Sequence, residues 1–444
     1  SLYGAGLGAK PYGNHTDGKG YDFGSVTGKS RVFIKSGKIA DDVFGGGAGI
    51  ESVYDKKGGK FIDFPDMAHV NGTEVHIYGK PIKHQKYNTL ITRTMVMGNV
   101  YGGGDLANVG TTTTVAEPDS DYTRDNYTKK ASTTLVNIRG GSVFSHVFAG
   151  GKGRLVTECA DSKALGGIYG NTCLIIDRPV ISYPYWDDTN KVYLTPNSDT
   201  SMAHPDEKTN TNVIPTLMGQ LYGGCQNGTV YGNTFMAIYD GAYGHGIYGG
   251  GWGNCDTISV DGKERIHITS ADVTGNTNML IMGGYAMLSS LWNMNTRSWE
   301  PASIIDGTTY SPQYNHSALK FKINHNIYAG GNEACEIGNN TYLTMIKGLL
   351  YDDTQVVSGR NDGKKLFESK EWEEIYYKVG SPHFSVFGGG YGENTNVKGD
   401  TYVNVSMEGR GSFHEGFDIV KGEEYKHFYS GYSVMDIIGG GYSG

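Results

Sequence analysis

Apolar and polar residues alternate along this chain in short stretches, each introduced by a turn signal. Two clear examples are residues 232–238 (GNTFMAI) and 399–405 (GDTYVNV), and related phrases begin at Gly72 and Gly275. A period of two after Gly, Asn or Asp is typical of a short strand with one buried face. The hydrophobic pattern therefore predicts many short β-strands and gives little support to helices.

A second motif, in which apolar residues run into a glycine cluster, occurs between these strands. Its ten copies are LYGAG (2–6), VFGGG (43–47), VYGGG (100–104), VFAGG (147–151), LYGGC (221–225), IYGGG (247–251), IMGGY (281–285), IYAGG (327–331), VFGGG (386–390) and IIGGG (437–441). One such unit cannot bury its apolar face alone, so successive units must stack. The sequence predicts an all-β fold, a parallel β-helix, and parallel crossovers favour right-handed winding.

Glycine accounts for 68 of the 444 residues, and its clustering predicts stacked corners. A corner excludes a Cβ where φ is positive or where the backbone of the next coil approaches closely. The aromatic residue before each cluster should then form a ladder along one side of the stack. The predicted corner glycines are Gly46, Gly103, Gly150, Gly224, Gly250, Gly330, Gly389 and Gly440.

The spacing of the clusters is uneven, which predicts loops of different length. The closest clusters begin at Leu221 and Ile247, and the gap between Val147 and Leu221 is far longer. We interpret residues 1–444 as one continuous β-solenoid segment of a longer chain, with loop insertions near 181–213 and 288–314. Further repeats or subunits would then stack on its ends.

Aromatic residues in the two insertions are the candidate ligand-binding residues. The first insertion carries Tyr183, Tyr185 and Trp186, and the second carries Trp292 and Trp299. Rings on a rigid scaffold can stack on sugars or anchor a protein partner. The alternative is that these rings pack their own loop onto the scaffold. The predicted partner is a glycan or a surface protein, bound through the loops and the aromatic ladder.

Charge and hydropathy exclude some partners. The formal net charge is −8, whereas a nucleic-acid-binding protein would show a basic stripe. The sequence has no apolar run of 18 residues, so no membrane span is expected. No helix pattern follows the glycine clusters, which argues against a nucleotide site.

The five cysteines form no recognisable framework, since their number is odd. We expect them to be small buried residues, with Cys255 and Cys335 at equivalent positions. A disulfide between Cys159 and Cys173, or between Cys225 and Cys255, is the alternative, and zinc is a weaker one. No cofactor is predicted, apart from a single calcium ion that a loop such as 119–125 could hold.

One set of residues supports an enzymatic alternative. Gly244-His245-Gly246 followed by Arg265-Ile266-His267 resembles fragments of the polygalacturonase signature, and an Asp187-Asp188 pair precedes them. Inverting hydrolysis needs two carboxylates on one face, about 6.5–9.5 Å apart. The Asp pair lies in a loop, and His267 stands where the signature has Lys. The alternative function is therefore a polysaccharide-active hydrolase or lyase, with no catalytic residue assigned.

A resemblance to a known family covers most of the chain. Residues 386–405 (VFGGGYGENTNVKGDTYVNV) are similar to the glycine-rich repeats of large secreted surface proteins of Bacteroidetes, commonly described as adhesin-like. The resemblance implies export to the extracellular space or the outer cell surface and a structural or ligand-binding role. It supplies no catalytic residues, so the predicted function is non-enzymatic and adhesive.

Overall fold

A computed structural model gives the fold. The structure describes residues 1–8, 24–51, 53–55, 58–62, 64, 66–79, 81–83, 90–92, 94–111, 132–154, 165–176, 185–187, 192–194, 215–239, 242–260, 263–281, 285–286, 290–293, 298–301, 326–345, 350–351, 385–405, 413–420, 423–430 and 436–442. Within these residues the secondary structure is entirely β, without a helix.

Three long sheets of parallel strands form the body of the protein, and we name them A, B and C. Sheet A consists of β1 (Leu2–Tyr3), β4 (Val43–Phe44), β11 (Val100–Tyr101), β14 (Val147–Phe148), β19 (Leu221–Tyr222), β22 (Ile247–Tyr248), β29 (Ile327–Tyr328), β33 (Val386–Phe387) and β38 (Ile437–Ile438). Sheet B consists of β2 (Val26–Ile34), β7 (Val70–Ile77), β12 (Ser132–Ile138), β15 (Asn171–Ile176), β20 (Thr234–Ile238), β25 (Thr277–Ile281), β31 (Thr341–Met345) and β35 (Thr401–Val405). Sheet C consists of β3 (Gly37–Ile39), β10 (Thr94–Val96), β13 (Ser142–Val143), β18 (Thr216–Leu217), β21 (Ala242–Tyr243), β26 (Tyr285–Ala286) and β32 (Leu350–Tyr351).

The chain visits the three sheets in rotation, and we call each circuit from A through B to C a pass. Every strand pairs in parallel with the equivalent strands of the neighbouring passes, as Val147 does with Val100 and Leu221. A short parallel pair, β30 (Asn332–Ile337) and β34 (Tyr391–Val397), lies between the sheet A strand and the sheet B strand of two late passes. The predicted all-β class with parallel pairing is confirmed.

Within the part of the chain that the structure describes, six antiparallel hairpins interrupt the passes. They are β5 (Val53–Asp55) with β6 (Lys60–Ile62), β8 (Pro81–Lys83) with β9 (Leu90–Thr92), β16 (Tyr185–Asp187) with β17 (Val192–Leu194), β23 (Asn254–Val260) with β24 (Lys263–Thr269), β27 (Ser290–Asn293) with β28 (Ser298–Pro301), and β36 (Phe413–Val420) with β37 (Glu423–Ser430). Each forms its own two-stranded sheet, and the passes continue after it.

The main hydrophobic core takes side chains from all three sheets. Val100 of sheet A, Val136 of sheet B and Val143 of sheet C belong to the same fully buried cluster. Equivalent positions in other passes hold Val, Ile, Leu or Met, with Tyr243 at one position of sheet C, so each pass adds one largely apolar layer. Since each layer contacts mainly its neighbours, stability accumulates along the stack.

Nine glycine clusters coincide with the nine strands of sheet A, and the tenth does not. Ile281 of the IMGGY phrase ends β25 in sheet B, where it pairs with Ile238 and Met345. Counting this phrase as a tenth copy of the same motif is therefore wrong. An apolar residue before glycines also occurs where a sheet B strand ends, and the local sequence does not separate the two cases.

The corner glycines form a continuous hydrogen-bonded column. In the order Gly46, Gly103, Gly150, Gly224, Gly250, Gly330, Gly389 and Gly440, each N–H donates to the carbonyl oxygen of the next at 3.0 Å. A Cβ on Gly224 would lie 2.7 Å from the Gly251 nitrogen, and one on Gly389 would lie 2.6 Å from the Gly441 nitrogen. None of the eight has a positive φ. Close approach of the next pass is therefore the reason for glycine at the first seven positions, whereas a Cβ on Gly440, in the last strand of sheet A, would meet no atom within 4 Å.

The cysteines adopt a different arrangement from the disulfide alternatives. Cys173, Cys225, Cys255 and Cys335 are free thiols, which excludes the bond between Cys225 and Cys255, and Cys159 lies outside the described residues. The prediction that Cys255 and Cys335 are equivalent is also wrong, because Cys255 is exposed on the β23–β24 hairpin. Cys335 instead shares a buried cluster with Cys225. Burial raises the pKa of the Cys225 thiol to about 12, so it stays protonated.

Candidate binding surfaces

The aromatic residues of sheet A form one stack that follows the glycine column. Neighbouring ring centroids are 4.7–5.0 Å apart and nearly coplanar. The eight rings are Tyr3, Phe44, Tyr101, Phe148, Tyr222, Tyr248, Tyr328 and Phe387. Seven of them are buried, and Tyr3 at the first strand is partly buried. This ladder was predicted to contact ligand, but its buried rings have no face open to one.

Polar side chains hydrogen-bond to the hydroxyls of two rings in the stack. Tyr222 donates to Gln220 Oε1 at 2.6 Å and accepts from Asn332 Nδ2 at 2.8 Å. Tyr101 donates to Gln226 Oε1 at 2.5 Å. Burial raises the pKa of Tyr222 well above its usual value, so the hydroxyl remains a donor. The ladder is therefore a second core of the fold.

The Asn-Thr phrase at the start of four sheet B strands, β15, β20, β25 and β31, has two bonding roles. Its asparagines form a ladder, in which Asn171 Oδ1 accepts from the Asn233 N–H at 2.8 Å and Asn233 Oδ1 accepts from the Asn276 N–H at 2.7 Å. Its threonines point inward, and Thr234 donates to the Gly249 carbonyl of the next pass at 2.6 Å. The same bond recurs at Thr73, Thr134, Thr172, Thr277, Thr341 and Thr401. Each pass thus fixes the corner of the next one.

A second side-chain ladder runs along the entry to sheet A, and it contains a histidine. Asn99 Oδ1 accepts from the backbone N–H of His146 at 3.0 Å, and the ring atom His146 Nδ1 accepts from the backbone N–H of Gln220 at 3.1 Å. This bond requires a neutral ring with its proton on Nε2. Burial lowers the pKa of His146, and the neighbouring His245 lowers it further.

We expect the protein to lose stability as the pH falls below about 6.5, the unfolded value of a histidine pKa. Because the folded pKa of His146 is lower than this, the neutral ring stabilises the fold above pH 6.5, and the contribution is lost as pH drops through the folded pKa. His76, whose pKa burial also lowers, acts in the same direction. His146→Asn should keep a ladder acceptor and flatten the pH dependence of urea unfolding between pH 7 and 5. An unchanged slope in this variant would show that His146 does not titrate with folding.

The predicted ligand-binding residues lie on two hairpins. Trp186 of β16 pairs with Tyr193 of β17, and Trp292 of β27 pairs directly with Trp299 of β28. The first hairpin, which also contains Tyr185, leaves the passes between sheets B and C, and the second leaves between sheets C and A. Tyr183 lies outside the described residues. The two hairpins therefore come from different corners of different passes.

The fragments that resemble a polygalacturonase signature lie on separate elements. His245 precedes β22 at the entry to sheet A, Arg265 lies on β24, and Asp187 ends β16. The glycines flanking His245 have steric reasons, since a Cβ on Gly244 would lie 2.8 Å from the Met218 carbonyl oxygen. A Cβ on Gly246 would lie 3.2 Å from the Tyr248 ring. Packing therefore explains this Gly-His-Gly phrase.

A polar face that the sequence analysis missed lies on the outside of sheet B at β2 and β7. Arg31 Nε donates to Glu74 Oε2 at 2.9 Å, and His76 Nε2 lies 3.5 Å from the same oxygen. Phe33 stacks on His76 with centroids 5.0 Å apart. The available signal was the alternation in residues 30–34 (SRVFI) and 73–78 (TEVHIY), where every second residue is polar or aromatic.

Two further features concern metals and membranes. Among the described residues, no group of three His, Cys, Asp or Glu side chains could hold a metal ion, and the 119–125 loop lies outside them. That part of the chain also contains no helix with the length and apolarity needed to cross a bilayer.

The chain matches no protein-family model, no curated protein and no solved structure. Neither a family nor an activity follows from likeness to other proteins.

Proposed function

We propose that the passes are coils of a right-handed parallel β-helix, a rigid rod on which the hairpins are mounted. The support is the rotation of the chain through three parallel sheets, with Gly, Thr and Asn ladders linking equivalent residues of successive passes. Right-handed winding is chosen because parallel crossovers strongly prefer that hand. With a rise of about 4.8 Å per strand, nine sheet A strands correspond to a rod about 40 Å long.

The role that fits this rod best is that of an extracellular structural and adhesive segment, carried at the outer cell surface. Its repeat phrase resembles those of adhesin-like surface proteins. The hydrogen-bonded ladders and the stacked rings of the passes stabilise the fold, rather than line a polar cleft. We propose a non-enzymatic function, in which the rod holds binding loops away from its anchor. The ligand is a glycan or a surface protein.

The observation that carries the binding role is the cross-strand pairing of Trp292 with Trp299. Directly opposed residues share one face of a hairpin, so the register places both tryptophans on the same face. Trp186 and Tyr193 repeat the arrangement on another hairpin. Indoles suit both the C–H face of a sugar ring and the anchor pockets of a protein partner.

Binding to an array of neutral and acidic oligosaccharides tests this role. We expect retained glycans, and we expect Trp292→Ala and Trp299→Ala to weaken their binding about tenfold or more, the usual loss at an aromatic hot spot. Tyr402→Ala is the matched control, because Tyr402 is an exposed stacked ring in sheet B. Unchanged binding in both tryptophan variants would contradict the assignment.

Turnover is measured separately. Incubation with polygalacturonate should release no reducing ends, and His245→Ala should change nothing. Sustained release that this substitution abolishes would favour the enzymatic alternative.

A further inference from the structure

The outer face of sheet B is basic at β2, β7 and β12, although the chain carries a net charge of −8. Lys29 and Arg31 project from β2, exposed Lys35 follows it, and Arg139 follows β12. Glu74 is the one carboxylate among the described residues of this face. A local positive field on an acidic protein favours an anionic ligand at this surface.

Two buried polar atoms on the same face have no hydrogen-bond partner among the described residues. They are Asn137 Oδ1 and Arg139 Nε, at alternate positions along one strand direction and therefore on one face. Asn137 is only 7% exposed. Buried polar groups are nearly always paired, and an unpaired one costs the protein its desolvation energy. An unpaired acceptor and an unpaired charged donor, two residues apart on one face, fit a ligand that carries both a hydroxyl and an anionic oxygen.

Aromatic rings border these two groups. His76 is the register neighbour of Asn137, and it lies between Phe33 at 5.0 Å and Tyr78 at 6.3 Å, with the rings nearly parallel. Phe33 is 51% exposed. Glu74 stabilises these rings and cations through its ion pair with Arg31 and its contact with His76. Apolar ring surface beside cations and hydrogen-bonding groups is the combination that a charged sugar requires.

We propose that this face binds an acidic saccharide, in which Arg139 pairs with a uronate carboxylate and Asn137 accepts a bond from a sugar hydroxyl. Asn137 Oδ1 and Arg139 Nε are both buried in the structure. The half-buried Arg139 side chain therefore turns toward the ligand on binding. The site is distinct from the tryptophan hairpins. Only the class of its ligand, a glycan, rests on the proposed function. Carboxylate and guanidinium form paired, charge-assisted hydrogen bonds, which select uronates over neutral sugars.

Calorimetric titration with a galacturonate hexamer, and with the same hexamer fully methyl-esterified, tests the proposal. The acid should bind at least about tenfold more tightly than the ester, and added salt should weaken it. Arg139→Met should weaken binding of the acid about tenfold or more. Lys398→Met is the matched control, since Lys398 is an exposed cation paired with Glu336 in a distant pass, and its loss should change nothing.

The Asn137→Leu variant tests whether Asn137 binds the ligand or only stabilises the fold. Removing an unpaired buried acceptor should leave the unfolding midpoint unchanged or raise it, yet binding of the acid should fall about tenfold. Equal affinity for acid and ester, no binding at millimolar concentration, or full affinity in both the Arg139 and Asn137 variants would overturn the proposal. If Trp299→Ala abolishes binding and Arg139→Met does not, the glycan lies on the hairpin, and only the proposed adhesive function stands.

Discussion

Gly224→Ala should destabilise the protein by about 1–3 kcal/mol, the usual cost of forcing an extra methyl group into a closely packed interior. The new Cβ would lie 2.7 Å from the Gly251 nitrogen and 2.9 Å from its Cα, and both atoms belong to the backbone of the next pass. Backbone cannot rotate away as a side chain can. Relief therefore requires the two passes to separate, which weakens the hydrogen bond from the Gly224 N–H to Gly250.

The damage should remain local, because each pass contacts mainly its neighbours. Hydrogen exchange should show faster exchange at the amides of Gly150, Gly224 and Gly250, and little change at the amide of Gly46. Gly28→Ala is the control, since Gly28 is exposed on β2 and a Cβ there meets no atom within 4 Å. If the two substitutions have equal effects, close approach is not the reason for the glycine column.

The sequence predicted the parallel strands and the corner positions because both follow from local patterns. A residue such as Thr234 lies behind a turn signal and before alternating apolar residues, and several repeats carry the same combination. Its bond to the Gly249 carbonyl explains why the Thr phrase and the glycine cluster occur together. Two motifs recognised separately are thus two halves of one contact between passes.

Which side of a sheet is buried could not be predicted where apolar residues are adjacent. Leu221 and Tyr222 point to opposite sides of sheet A, and both are fully buried, one in the main core and one in the ring ladder. A period-two pattern distinguishes inside from outside only when one side is polar. For the same reason the ladder was mistaken for a ligand surface.

Insertions caused the errors in counting positions. Cys255 and Cys335 follow their glycine clusters at the same distance, but the β23–β24 hairpin carries Cys255 away from the passes. Equal spacing after a glycine cluster indicates an equivalent position in the passes only where no residues are inserted between them. The charged face around Glu74 and Arg139 was missed because it is spread over three strands far apart in sequence, and only their register brings them together.

Tyr222→Ala should cost about 3–5 kcal/mol, the range for removing a large aromatic side chain from a core. The ring is fully buried and stacks on Phe148 at 4.7 Å and on Tyr248 at 4.9 Å. Its loss opens a cavity in the ladder, and it also leaves the Asn332 amide without its partner. Urea unfolding followed by tyrosine fluorescence and circular dichroism measures the change.

Two control substitutions divide this loss into its sources. Tyr222→Phe keeps the stack and removes only the hydroxyl bonds to Gln220 and Asn332, so it should cost about 1–3 kcal/mol. Tyr402→Ala removes an exposed ring that stacks on one neighbour, and about 1 kcal/mol or less is expected. The order Tyr222→Ala, Tyr222→Phe, Tyr402→Ala follows if burial within the stack supplies the stability. A cost for Tyr402→Ala equal to that of Tyr222→Ala would mean that ring stacking alone, and not burial, holds the passes together.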